Sequence, residues 1–65
     1  MNWDRIEGNW KENKGLIKQK WAELTDDDLL AIEGSKDELV GRLQQRYGLA
    51  KDKAKQEIDS WLDAA

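Results

Sequence analysis

The chain has 65 residues, a net charge of −3, and no cysteine, histidine or proline. That length sits near the lower limit for one independently folding core, and the missing residue types exclude disulfides, thiolate zinc sites and Cys–His or Ser–His nucleophiles. Four tryptophans, Trp3, Trp10, Trp21 and Trp61, must therefore supply much of the packing that no cross-link provides.

Glu, Lys, Gln, Leu and Ala dominate, which is a helical composition. Wound at about 100° per residue, Trp3, Ile6, Trp10, Ile17, Trp21 and Leu24 fall in one narrow stripe, so residues 3–24 read as a long amphipathic helix, open to interruption near Gly8. Gly8, Gly15 and Ala22 lie on the opposite side at intervals of seven, as solvent-facing positions or as a groove where another backbone comes close. Thr25 then opens "TDDD", a cap followed by three carboxylates where the helix dipole favours them. This second helix stops at Gly34. Ser35 and Glu38 spell a capping box for a third helix, which places Leu39, Val40, Leu43 and Tyr47 on one face and ends at Gly48. A fourth runs from about Lys51 to Asp63 and buries Ala54, Ile58, Trp61 and Leu62.

The segment "GLIKQKWA", residues 15–22, returns 26 positions later as "GRLQQRYG". At the same offset Gly8 matches Gly34, Ile17 matches Leu43, Trp21 matches Tyr47, Asp26 matches Asp52 and Ile32 matches Ile58. Each copy is a long helix, a turn and a second helix, an αα-hairpin that cannot bury its apolar face alone. The expectation is a single all-α domain over residues 1–65, with Trp10, Ile17, Trp21, Leu43, Tyr47, Ile58 and Trp61 sharing one core between the hairpins.

The run "GNWKENKGLIKQKWAELTDDDLLAIEGSKDELVGRLQQRYG", residues 8–48, resembles the signature of the CsbD-like bacterial stress-response proteins. That pattern reads G-x-W-K-x-x-K-G, then W-G-x-L-T-x-D-D-L, then I-x-G-x-x-D-x-L-x-G-x-x-Q-x-x-Y-G, and the closing helix continues through Trp61. Ala22 departs from it, standing where the family usually has glycine, a change expected to stiffen the helix end. The resemblance implies a four-helix domain of two αα-hairpins packed crosswise, SAM-domain-like, in a small cytoplasmic protein induced under general stress. It implies no catalytic residues.

The residues offer few sites of their own. Asp26, Asp27, Asp28 and Glu33 form the one dense carboxylate cluster, but a calcium loop needs alternating oxygen ligands and a central glycine, and Leu30 interrupts the pattern. Capping explains the run without a metal, and no glycine-rich phosphate loop is present. The stretch "YGLAKDKA", residues 47–54, partly matches the turn of helix–hairpin–helix modules that bind nucleic-acid backbone, with Ala50 in place of the second glycine. Arg42, Arg46, Gly48, Lys51, Lys53 and Lys55 are its candidate contacts, and residues 41–56 carry five basic and one acidic residue, a net of +4. Residues 25–40 carry one basic and six acidic residues, a net of −5, and could simply pair with that face.

No apolar stretch is long enough to span a membrane or to serve as a secretory signal, so the cytoplasm is the expected location. A lipid-facing use of the tryptophan stripe would leave too little core. The leading expectation is a non-enzymatic stress protein that binds an unidentified macromolecule or accumulates as a protectant, without cofactor, metal or small-molecule substrate. Nucleic-acid backbone binding through residues 47–55 is the alternative.

Overall fold

A computed structural model describes residues 1–64 and is all-helical among them. Its five helices are α1 (Trp3–Gly8), α2 (Trp10–Lys20), α3 (Asp26–Ile32), α4 (Lys36–Tyr47) and α5 (Lys51–Ala64). The count exceeds the expected four because the first helix breaks at Asn9, whose φ of −118° and ψ of 43° are not helical. Gly8 and Asn9 are both poor helix formers, and Asn9 closes α1 through its N–H to the Arg5 carbonyl while its own carbonyl accepts from Glu12 and Asn13.

The break lets α1 fold onto the rest. Ile6 is fully buried, the Trp3 indole N–H donates to the Gly34 carbonyl at 2.8 Å, and the Trp3 and Trp10 rings meet with centroids 6.4 Å apart. Gly34 has a left-handed φ of +85°, and a Cβ there would stand 3.2 Å from Glu7 Cγ, so glycine serves both the turn and the seat of α1. Gly8, Gly15 and Gly41 have nothing within 4 Å of a Cβ position, so no backbone of this chain approaches them.

Capping differs in detail from the sequence reading. Thr25 and Asp28 make the reciprocal box: the Asp28 N–H donates to Thr25 Oγ1 at 3.1 Å, and the Thr25 N–H to Asp28 Oδ2 at 2.9 Å. Ser35 makes only half of one, accepting from the Glu38 N–H at 3.3 Å, while the Glu38 carboxylate lies 3.9 Å from Arg42. Gly48 ends α4 in the left-handed conformation, as expected. Ala22 lies in the turn beyond α2 rather than at a helix end.

The 26-residue offset is visible in the elements themselves, since α2 and α4 begin 26 apart and Asp26 of α3 corresponds to Asp52 in the first turn of α5. Ile17 and Leu43, and Ile32 and Ile58, are buried pairs at that offset. Packing is less symmetrical: α4 lies against both α3 and α5, and α1 folds on α2. The core joins all five helices through Ile6, Ile17, Trp21, Leu24, Leu29, Ile32, Leu39, Val40, Leu43, Ala54, Ile58 and Leu62. Of the seven residues expected to share it, Ile17, Trp21, Leu43 and Ile58 do so fully. Trp10 and Trp61 are half-buried against its edge. Tyr47 corrects the expectation, remaining 38% exposed because its hydroxyl is used outside the core, accepting from the Glu23 N–H at 3.1 Å.

Candidate macromolecular contact surfaces

The basic segment divides into two parts. Arg46, in the last turn of α4, points at α3: its Nε lies 2.7 Å from Asp28 Oδ2 and its Nη2 3.1 Å from Oδ1, a two-pronged grip. Arg42, one turn earlier, adds Nη1 at 3.3 Å from the same Oδ1. Asp28 is completely buried, the only buried charged residue among those described. Its pKa is held well below the usual carboxylate range, first by the Arg46 hydrogen bonds and then by the Thr25 N–H, both outweighing the opposing effect of burial. The Arg46 pKa rises in return. These two arginines thus join helices that sequence separates, and the acidic and basic segments do pair at this point.

Lys51, Lys53 and Lys55 are the other part. All three are exposed on the first turns of α5, with no ion pair among the described residues. Gly48 lies between the two parts as the left-handed cap of α4. The six candidate contacts thus have three different local roles: two brace Asp28 while keeping about a third of their side-chain surface in water, three are exposed, and one turns the chain. Sequence reading missed the inward role of Asp28, although its place at the third position after Thr25 and four before buried Ile32 was the available signal.

A second surface is the cleft of about 560 Å³ between α2 and α3. Trp10, Gly15, Leu29 and Leu30 are its apolar lining; Lys11, Lys14 and Lys18 line the α2 side, and Asp26, Asp27 and Glu33 the α3 side. Leu30 is 75% exposed there. Lys18 and Asp26 close one end at 2.7 Å, and the Lys18 ammonium lowers the Asp26 pKa. A smaller apolar patch joins Met1, Leu16 and Trp61. Among the described residues, no three acidic side chains stand close enough to hold a metal, and no helix is long and apolar enough to cross a membrane.

Comparison with known proteins gives a consistent answer. The CsbD-like family model matches residues 4–56. The chain is 56% identical over 61 residues to UPF0337 protein YjbJ of Escherichia coli O6:H1 (strain CFT073), covering 94% of this chain and 88% of that one. It is 57% identical over 62 residues to UPF0337 protein RPA4217 of Rhodopseudomonas palustris, covering 95% and 94% respectively. With UPF0337 protein ECA0631 of Pectobacterium atrosepticum the identity is 54% over 63 residues, covering 97% and 91%.

Proposed function

The chain belongs to the CsbD-like family, and from that premise we propose that it is a small non-enzymatic stress-response protein of the cytoplasm, acting through contact with another macromolecule or as an abundant protectant. The observation that carries this reading is the state of Asp28. General acid catalysis by a carboxyl group at neutral pH needs one whose pKa is raised by its surroundings. The one buried carboxylate among the described residues, Asp28, is instead fully engaged as a brace between helices, held by Thr25, Arg42 and Arg46. What remains is surface: a cleft of balanced charge with apolar lining, and three exposed lysines at the start of α5.

Photo-crosslinkers placed at Leu30 and at Lys53 in stressed cells test this. Heavier adducts that appear only under stress identify a partner, while protection of a heat-aggregating enzyme by the purified chain supports the protectant form. Absence of both results overturns the reading.

The exposure of Lys51, Lys53 and Lys55 favours nucleic-acid backbone as a second reading. On this reading duplex DNA is bound at low salt and released as salt rises, because each neutralised phosphate frees counterion. Replacing Lys51 and Lys53 by glutamine then flattens that dependence. The inward use of Arg42 and Arg46 leaves only three lysines for the task, so the expected result is no retention on DNA at micromolar protein even at low salt.

A further inference from the structure

We propose that the α2–α3 cleft is the docking face for a second copy of this chain in a two-fold symmetric dimer; this goes beyond the functional reading above and does not depend on it. One wall of the cleft is basic, with Lys11, Lys14 and Lys18, and the other acidic, with Asp26, Asp27 and Glu33. Only Lys18 and Asp26 pair across it, while Lys11, Lys14, Asp27 and Glu33 make no ion pair among the described residues. A cleft with three charges of each sign attracts neither a polyanion nor an anionic lipid surface. It does complement itself. A two-fold axis lying in the interface and running along the cleft sets each lysine wall over the acidic wall of the other copy.

The same rotation carries Leu30 from the α3 side of one copy to the α2 side of the other. There Gly15 leaves open space, with nothing within 4 Å of its Cβ position, and Trp10 offers a half-buried indole. Leu30 is otherwise hard to account for, being 75% exposed beside buried Leu29. Glycine at position 15 costs helix stability, roughly 1 kcal/mol against alanine, and nothing within the chain requires it. A knob from a second copy gives both residues a use.

The patch is small beside the roughly 800 Å² per partner of a standard interface, so the dimer is weak and its population concentration-dependent. Sedimentation equilibrium on the full chain reads this directly. Wild type is expected to rise from 7.5 kDa toward twice that value at submillimolar concentration, and to fall back in high salt. Leu30→Glu, on an exposed side chain, should remain monomeric with unchanged helical circular dichroism. A Lys11→Glu/Lys14→Glu variant and an Asp27→Lys/Glu33→Lys variant should each be monomeric alone and associate when mixed, because one presents two acidic walls and the other two basic ones. Wild type that stays monomeric throughout overturns the proposal and leaves the cleft to a foreign partner. Self-association unaffected by Leu30→Glu, or reversed variants that fail to combine, overturns it equally and moves any dimer contact elsewhere, such as the Met1–Leu16–Trp61 patch.

Discussion

Asp28 carries more of the fold than any other polar side chain. It caps α3 through Thr25 and receives hydrogen bonds from Arg42 and Arg46, so one carboxylate ties the start of α3 to the end of α4. Its pKa in the folded chain lies below the unfolded value of about 3.9. A depressed carboxylate contributes stability that is complete above its unfolded pKa and lost as the pH falls toward its folded one. Asp28→Asn keeps the shape and a capping oxygen but loses the charge, and should cost about 2 kcal/mol at pH 7. The two arginine side chains are 31% and 37% exposed, and this contact with water holds the figure below that of a wholly buried pair. Urea denaturation of both proteins between pH 7 and pH 2.5 checks the assignment. The stability gap should be constant down to about pH 5 and narrow below it; a gap that stays constant throughout would mean that Asp28 is not the titrating brace.

At the scale of helices, α1 is held by its contacts with the α3–α4 turn, and Gly34 is where those contacts meet the backbone. Alanine at Gly34 places a side chain at left-handed φ, costing about 1–2 kcal/mol, and pushes its Cβ toward Glu7. Alanine at Gly41, in the open middle of α4, should instead stabilise by about 0.5–1 kcal/mol. Denaturation midpoints moving in opposite directions confirm the contrast; Gly34→Ala at or above the wild-type midpoint would remove the case for a close approach of α1. The sequence located α3, α4 and α5 nearly to their ends, since Thr25 and Ser35 cap the starts of α3 and α4 and left-handed glycines follow both helices. The break at Asn9 was signalled by Gly8 beside it and not by periodicity. Trp3, Ile6 and Trp10 stay in phase across that break, and a stripe that keeps its phase looks continuous.

Over the whole molecule, the repeat foretold the order of elements and the paired buried positions, because both depend on spacing alone. Which aromatic would be buried did not follow from it. Trp21 and Tyr47 are equivalent at the 26-residue offset, yet Trp21 is 3% exposed and Tyr47 38%. The phenol satisfies its hydroxyl at the edge, on the Glu23 N–H, whereas the Trp21 ring meets Trp61 edge-to-face with centroids 5.4 Å apart. The candidate basic surface was legible only as net charge, since Asp28 lies 14 and 18 positions from the arginines it binds. Trp21 is thus the point where α2, its following turn and the late tryptophan of α5 depend on one another. Trp21→Ala should cost about 3–5 kcal/mol, against a total of about 5 kcal/mol in so small a domain, and leave most of the chain unfolded at 37 °C. Its indole N–H is buried without an acceptor, so Trp21→Phe discards an unsatisfied donor while keeping a ring against Trp61, and should lose clearly less. Thermal melts of the two variants separate packing from polarity. Equal losses would mean that the ring stack contributes nothing, and an alanine variant melting at the wild-type temperature would place Trp21 outside the cooperative core.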